Sequence, residues 1–187
     1  MDWLIKAARA GRLDKIKKAT VLNVRDEYGD TPLVHALRSR QFLAAELLLS
    51  MGADPMAMNN HQRTPLHVAA HSCNKSMIDS LVANGADVDC QCAFGDTPLM
   101  KAVVAKNLDT VKALLELGAS PDIKDNLGRT PLMHAAKIHD ISIATVLLEN
   151  GANAAITDMR GDNALNIAIK KGWTLFSELV KTCKRSK

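Results

Sequence analysis

The chain has 187 residues, of which 47% are hydrophobic and only 3% aromatic, and its formal net charge is +4. The hydrophobic fraction is ordinary for a globular protein, and the scarcity of rings excludes an aromatic core, so the core must consist of Leu, Ala, Val and Ile. No stretch approaches the roughly 20 apolar residues that span a bilayer, and the N-terminus is typical of an amphipathic helix rather than a signal segment. The four cysteines form no CxxC pair and no zinc spacing with histidine.

The charge is unevenly spread along the chain. Residues 1–25 carry seven Lys/Arg against two Asp/Glu, residues 158–187 carry seven against three, and the segment between them has an excess of acids. Basic ends have two interpretations: end units that need charge for solubility, or a contact surface for nucleic acid or an anionic membrane. Aromatic residues do not alternate with this charge, which counts against single-strand binding.

The first predicted element is a short pair of helices over residues 4–19. Its second helix is brief, and its outer face is rich in Lys and Arg, as expected for an end unit with one solvated side. A turn then opens the segment 26–58, in which Gly29 supplies a positive φ at no steric cost.

Two helices are predicted within this segment. Thr31 has the chemistry of an N-cap, and Pro32 at the first helical position has its φ already set for a helix. The helices are expected over residues 32–39 and 42–50, and Gly52 is placed as the left-handed C-cap of the second one.

The same segment returns with a fixed period of 33 residues. Thr-Pro begins at residues 31, 64, 97 and 130, and Gly-Ala begins at 52, 85, 118 and 151. Two markers locked to one period predict a tandem repeat whose copies stack into a solenoid. Three apolar columns run through the copies and are expected to form the core. They are Leu33, Leu66, Leu99, Leu132 and Leu165; Ala36, Ala69, Ala102, Ala135 and Ala168; and Leu48, Leu81, Leu114, Leu147 and Val180.

Several segments resemble one family. TPLHVA at 64–69, GAD at 85–87 and DxxGxTPL at 125–132 are similar to the ankyrin repeat, and the resemblance spans essentially the whole chain. It implies an all-α ankyrin-repeat solenoid of stacked antiparallel helix pairs, with projecting β-hairpin-like loops, a concave inner face and a protein-binding function. A single domain over residues 1–187 is expected, with an N-terminal cap (1–25), four full repeats (26–58, 59–91, 92–124 and 125–157) and a C-terminal cap repeat (158–187).

The chain departs from the family pattern at two positions. The motif His survives only as His67, so its hydrogen bonds must be absent or replaced in the other copies. Gln62 stands where the other turns have Gly, so this loop is expected to be strained or differently shaped.

One residue of each turn is expected to project at the loop tip, where members of the family make contacts. This tip column consists of Tyr28, His61, Phe94, Leu127 and Arg160. Exposed apolar residues in a line are typical of interface hot spots, so Tyr28, Phe94 and Leu127 are the expected anchors. The alternative is that each ring packs on the neighbouring loop and only stiffens the array.

Two further columns carry charge. The first alternates in sign and consists of Asp30, Arg63, Asp96, Arg129 and Asp162. Repeats about 10 Å apart bring its members within reach of one another, which predicts ion pairs between repeats; a charged groove for a partner is the alternative. The second column lies on the first helices and consists of Arg38, His71, Val104, Lys137 and Lys170. It suits a partner with an acidic rim and an apolar anchor, and a solvated face is the alternative.

Candidate chemistry elsewhere is weak. Cys90 and Cys92 are interpreted as small loop residues rather than a redox or metal site, and His134 and His139 lack a partner at ligand spacing. Trp173 is expected to cover the end of the core, with a contact to a capping partner as the alternative. The chain has no nucleophile elbow, phosphate loop or paired inward carboxylates. We therefore predict no catalytic residue, cofactor or metal.

The sequence thus predicts a monomeric, non-enzymatic interaction module that acts as an adaptor, inhibitor or scaffold. It is expected to bind a protein through the loop tips and the concave face, with Arg38, His71 and Lys137 orienting the partner. The alternatives are a binder of nucleic acid or anionic membrane that uses the basic ends, and a bacterial effector acting on a host protein. A cytoplasmic location is expected from the cysteine pattern, with nuclear and host-delivered locations as alternatives.

Overall fold

The computed structural model describes residues 2–72, 75–173 and 175–185. Within these ranges it contains twelve α-helices and no β-strand, and an isolated bridge joins Thr157 to Asn163. The helices are α1 (Asp2–Arg9), α2 (Leu13–Ile16), α3 (Pro32–Arg38), α4 (Phe42–Ser50), α5 (Pro65–Ser72), α6 (Lys75–Ala83), α7 (Pro98–Val104), α8 (Leu108–Glu116), α9 (Pro131–Ile138), α10 (Ile141–Glu149), α11 (Ala164–Lys170) and α12 (Phe176–Arg185). Helix α3 ends one residue before its predicted end, and α4 has its predicted bounds.

Side-chain caps begin helices α3, α7 and α11, whereas Thr130, the N-cap residue of α9, accepts no such hydrogen bond. Thr31 accepts a hydrogen bond from the Val34 amide at 3.5 Å, and Thr97 caps α7 in the same way. In the last copy Asn163 takes the place of threonine and accepts from the Asn166 amide at 2.9 Å. A side-chain cap therefore survives where the Thr-Pro marker is lost.

The helices pack in two layers. The first helices α1, α3, α5, α7, α9 and α11 contact one another in chain order, and the second helices α2, α4, α6, α8, α10 and α12 do the same. The two helices of each pair are also in contact and are separated by only a few residues of the chain, which makes them antiparallel. This is the stacked helix-pair solenoid that the sequence predicts.

The three apolar columns form the core between these layers. The Ala column is fully buried in all five copies, and its small side chains allow adjacent first helices to approach closely. In the Leu column that follows Thr-Pro, only Leu165 is partly exposed. The half-buried ring of Trp173 lies 4.9 Å from the ring of Phe176, which is fully buried. Trp173 therefore covers the C-terminal end of the core, as expected.

Neighbouring turns are joined by backbone hydrogen bonds. The first turn is closed by the Gly29 amide, which donates to the Asp26 carbonyl at 3.0 Å. The Asn60 amide of the next turn donates to the Tyr28 carbonyl at 3.0 Å. The same bond recurs at each later step, from Ala93 to His61, from Asn126 to Phe94 and from Met159 to Leu127. These bonds hold the loop tips in a row.

The turn that contains Gln62 keeps the shape of the others. The Gln62 amide closes it on the Asn59 carbonyl at 2.8 Å, and Gln62 has a φ of 55°, in the left-handed region that costs a non-glycine residue energy. Of the two expectations for this loop, strain is therefore the one observed. A Cβ at Gly29 would lie 2.6 Å from the side chain of Asn60. In the turn that follows Gln62, the position equivalent to Asn60 is occupied by Ala93. Alanine lacks the longer polar side chain with which the Cβ of Gln62 would otherwise collide.

Candidate functional site

The predicted anchors lie exposed at the loop tips. Tyr28 is 61% exposed, and Phe94 and Leu127 are each 55% exposed. The alternative of ring packing applies to one pair, because the rings of His61 and Phe94 are stacked with centroids 6.4 Å apart. We call the five residues Tyr28, His61, Phe94, Leu127 and Arg160 the tip row.

Sequence reasoning missed one apolar residue beside this row. Met159 precedes Arg160 in the last turn and is 74% exposed. It occupies the other tip position, which holds polar or small residues in the four preceding turns. Comparing both tip positions across the copies would have found it.

The prediction of ion pairs between repeats is wrong. The acids of the alternating column pair within their own repeats: Asp30 with Arg38 at 3.0 Å, Asp96 with Lys101 at 2.5 Å and Asp162 with Lys170 at 2.6 Å. Arg129 pairs with Asp125 at 2.7 Å, four residues earlier. The physical reason is proximity, because each first helix begins at its own turn and places a cation next to the aspartate of that turn.

Arg63 is the exception in this column. It is half-buried, its Nε is buried without a hydrogen-bond partner, and it forms no ion pair with any residue in the described ranges. The corresponding turn position, which holds Asp125 in the fourth repeat, holds Asn59 here.

His67 links the second and third repeats. The Thr64 amide donates to its Nδ1 at 3.2 Å, so Nδ1 is an acceptor and the proton lies on Nε2. Nε2 then donates to the Asp96 carbonyl of the next turn at 2.9 Å. Burial is the main reason that the pKa of His67 is lowered to about 4, which keeps the ring neutral.

The hydrogen bonds of the motif His are replaced in two other repeats. His35 lies 2.8 Å from Asp26, and His134, whose ring is buried, lies 3.1 Å from Asp125. Burial lowers the pKa of His134, and the nearby Arg129 lowers it further. A histidine one residue after the motif position therefore binds the aspartate of its own turn. His139 instead lies at the end of α9, 5.7 Å from the ring of Trp173.

Two groups of side chains have the composition of a metal site. They are Asp26, Asp30 and His35, and Asp96, Asp125 and His134, and within each group the ligand atoms lie within 4.8 Å of one another. These atoms already have partners within the protein.

Asp125 illustrates how the acids of these groups are used. It accepts hydrogen bonds from the amides of Leu127 and Arg129 and from the Arg129 guanidinium. Burial alone raises the pKa of such a carboxyl, but these bonds outweigh it and hold the pKa of Asp125 below its usual value. The groups are turn-stabilising networks, and we assign no metal to them.

The described cysteines have no reactive character. Cys90 and Cys92 are both buried, and burial raises the pKa of the Cys90 thiol, which disfavours the reactive thiolate. Cys73 and the side chain of Cys183 lie outside the part of the chain that the structure describes.

Two grooves lie between the turns and the first helices, on the predicted concave face. The central groove has a volume of about 510 Å³ and is lined by Arg38, Arg63, Val68, His71, Lys101 and Val104. The C-terminal groove has a volume of about 310 Å³. It is lined by five basic residues, two acids and three apolar residues: Arg129, Lys137, Arg160, Lys170, Lys171, Asp158, Asp162, Leu127, Met159 and Ile167. A larger open hollow of about 890 Å³, which includes Arg40 and Lys112, lies at the corners between helix pairs, away from the tip row.

This organisation is that of a known family. A family profile described as "Ankyrin repeats (3 copies)" matches residues 54–125 and 117–185, and one described as "Ankyrin repeat" matches residues 28–60. The chain therefore belongs to the ankyrin repeat family. Ankyrin repeats are protein-interaction modules, and their fold is generally a non-catalytic scaffold. No helix in the described ranges combines the length and apolar character required to cross a membrane.

Solved structures and curated proteins agree with this assignment. An ankyrin repeat domain from Acinetobacter baumannii AYE is 28% identical, with a TM-score of 0.87 and 98% of each chain covered. The ankyrin repeat domain of Bcl-3, a member of the IkappaB protein family, is 30% identical, with a TM-score of 0.85, and the match covers 98% of this chain and 85% of that one.

Two curated proteins share shorter segments. Transient receptor potential cation channel subfamily A member 1 from Homo sapiens is 34% identical over 82 residues, and NF-kappa-B inhibitor delta from Mus musculus is 47% identical over 49 residues. The matches span 41% and 26% of this chain, but only 7% and 15% of those two proteins. The similarity to these proteins is therefore limited to a small part of each of them.

Proposed function

We propose that this chain is a non-enzymatic protein-binding module, an adaptor, inhibitor or scaffold, that holds a protein partner with its tip row and its concave face. The observation that carries the proposal is the exposure of Tyr28, Phe94 and Leu127 along one row of turns. Apolar side chains in a line gain most from a partner that removes them from water. Arg38, His71 and Lys137, on the first helices beside this row, orient the partner through polar contacts.

The test is capture of proteins from a cell lysate by the immobilised chain, read by mass spectrometry. The tip variant replaces Tyr28, Phe94 and Leu127 with Ala. The matched control replaces Val21, Leu43 and Ile141 with Ala, because these apolar residues are also more than half exposed but line none of the grooves. We expect at least one protein to be captured by the wild type and by the control but not by the tip variant. Equal capture by all three proteins rejects the tip row as the binding surface.

A second candidate function is binding of nucleic acid or an anionic membrane through the basic ends. Lys15, Lys17 and Lys18 favour it, since they are exposed and form no ion pair with the described residues. Several phosphate contacts would make affinity fall steeply as salt is raised. Absence of binding to mixed nucleic acid and to phosphatidylserine vesicles at low salt removes this candidate.

We further propose that the module acts as a cytoplasmic monomer and that the repeat boundaries given above are its structural units. Light scattering after size-exclusion chromatography tests the oligomeric state. A mass of about 20 kDa agrees with the monomer, and a concentration-independent mass of twice that value contradicts it.

A further inference from the structure

Arg63 differs from the equivalent arginine two repeats later. Arg129 is held by the carboxylate of Asp125, which the fourth turn supplies. The second turn supplies Asn59, whose side-chain oxygen accepts from the amides of His61 and Arg63. The Asn59 amide nitrogen donates to Asp30 at 2.8 Å, so both ends of this side chain are occupied and neither is a carboxylate for Arg63.

The cations along the same face divide into two sets. Arg38, Lys101 and Lys170 are each neutralised by the aspartate of their own turn. Lys137 and Lys171 line the C-terminal groove, are exposed, and form no ion pair within the described ranges. The two acids of that groove are already engaged, Asp162 by Lys170 and Asp158 by the backbone amides of its own turn. The cations of this face without an ion pair therefore include Arg63, Lys137 two repeats further on and Lys171 three repeats further on.

An apolar patch separates these two sites. Val104, on the first helix of the third repeat, is 51% exposed and lines the central groove together with the half-buried Val68. No acidic residue lines the central groove among the described residues. The order along the face is thus cation, apolar patch, cation.

We propose that the concave face binds an extended acidic segment of a protein partner, with one carboxylate at Arg63, an apolar side chain on Val104 and a second carboxylate at Lys137 and Lys171. This inference rests on the proposed function and names the chemistry of the partner. Adjacent helices pack about 10 Å apart, so Arg63 and Lys137, two repeats apart, are separated by about 20 Å along the stack. An extended chain rises about 3.3 Å per residue, which places the two acidic residues about six positions apart with the apolar residue midway.

The spacing favours a polypeptide over a nucleic acid or a membrane. A nucleic acid presents phosphates at short, regular intervals, whereas the uncompensated cations here are discrete and separated by Val104. Among the described residues that line this groove there is also no Phe, Tyr or Trp on which unpaired bases could stack. The guanidinium of Arg63 suits a carboxylate, which it can bind through two parallel hydrogen bonds.

The test uses a fluorescein-labelled peptide in which two Glu residues, six positions apart, flank a central Leu. Its affinity is measured by anisotropy beside that of a peptide with Gln at both acidic positions, a single-stranded oligonucleotide and phosphatidylserine vesicles. We expect the Glu peptide to bind at least about tenfold more tightly than the Gln peptide, because charge-assisted hydrogen bonds are lost in the latter.

Three variants locate the contact. Arg63→Gln and Lys137→Gln are each expected to weaken the Glu peptide by about tenfold. Asn59→Asp keeps Arg63 but gives it the turn carboxylate of the fourth repeat, and it is expected to weaken the peptide as well. Lys112→Gln removes the same charge from the exposed face of α8, outside both grooves, and is the matched control, with no expected change. Thermal unfolding checks that each variant is folded, and Asn59→Asp and Lys137→Gln carry the test if Arg63→Gln does not fold.

Equal affinity for the Glu and Gln peptides, or unchanged affinity in the folded variants, overturns the inference. Tighter binding of the oligonucleotide or the vesicles with the same dependence on Arg63 and Lys137 also overturns it. Lysate capture separates this inference from the proposed function. One outcome is a partner that the tip variant loses but the Arg63→Gln, Lys137→Gln double variant retains. This result supports the proposed function and contradicts binding of an acidic segment. A partner retained by both rejects both.

Discussion

The turns of the second and fourth repeats have the same backbone and different side-chain chemistry. In the fourth, Asp125 closes a network with two backbone amides, Arg129 and His134, and Gly128 carries the positive φ. In the second, Asn59 makes the backbone bonds but gives Arg63 no carboxylate, and Gln62 adopts the positive φ at an energetic cost. The same scaffold thus holds the arginine of the fourth turn with a carboxylate and leaves the arginine of the second turn without an ion pair among the described residues.

The largest predicted difference between the second and fourth repeats is in how the free energy of unfolding depends on pH. His67 is neutral in the folded second repeat with a pKa of about 4, below its unfolded value of 6.5, so the unfolded chain takes up the proton first as pH falls. Its contribution to stability is complete above pH 6.5 and is lost between pH 6.5 and 4, a loss of about 3 kcal/mol.

The fourth repeat has Met133 at the equivalent position. His67→Met should therefore remove most of this pH dependence, while the part from His134, whose pKa is lowered in the same direction, remains. Urea unfolding at pH 7, 5.5 and 4 provides the measurement. Identical pH profiles for wild type and His67→Met contradict the assignment.

Equivalent changes in the core of the second and fourth repeats should have the same effect on stability. Ala69 and Ala135 are both fully buried between first helices, so Ala69→Leu and Ala135→Leu should each overpack the stack and lower the free energy of unfolding by about 1–3 kcal/mol. Urea unfolding at pH 7 measures both. A cost confined to one of them would place the difference between the repeats in their packing rather than in their turns.

Giving the fourth turn the asparagine of the second turn should destabilise the protein. Asp125→Asn removes the carboxylate from Arg129 and His134 and should lower the free energy of unfolding by about 1–2 kcal/mol, a value reduced from that of a buried pair because Arg129 is partly exposed. Thermal unfolding at low and high salt measures the effect. An unchanged melting temperature would show that the Asp125 network makes no net contribution to stability.

The smallest effect is expected at the glycine position of the turns. Gln62→Gly relieves the left-handed strain and should stabilise the chain by about 0.5–1 kcal/mol, since the greater entropy of glycine in the unfolded chain offsets part of the relief. Gly128→Ala should act in the opposite direction, because a Cβ there would lie 3.0 Å from the Met159 amide nitrogen. The two changes are compared by urea unfolding. Destabilisation by Gln62→Gly would mean that the glutamine side chain makes a contact worth more than the strain.

The fold was predictable because its signals are local and periodic. The step of 33 residues, the caps and the apolar columns each indicate the helix pairs without any distance information, and the caps and core columns lie where the sequence places them. The exposure of Tyr28 was predictable for the same reason, since a turn tip projects from the stack.

The side-chain partners were not predictable, because they depend on which group is nearest. The alternating column of Asp30, Arg63 and Asp96 suggested pairs across repeats, yet Arg38 and Lys101 lie closer to the acids. The isolation of Arg63 emerged only when the turn residues Asn59 and Asp125 could be compared in place.

Hydrogen–deuterium exchange of the chain, free and bound to its captured partner, locates the binding surface. We expect new protection in the turns that carry Tyr28, Arg63, Phe94 and Leu127 and in the first helices α5, α7 and α9. The second helices α4, α6, α8 and α10 should exchange as in the free chain. Protection confined to those second helices or to the basic ends would contradict binding through the tip row and the concave face.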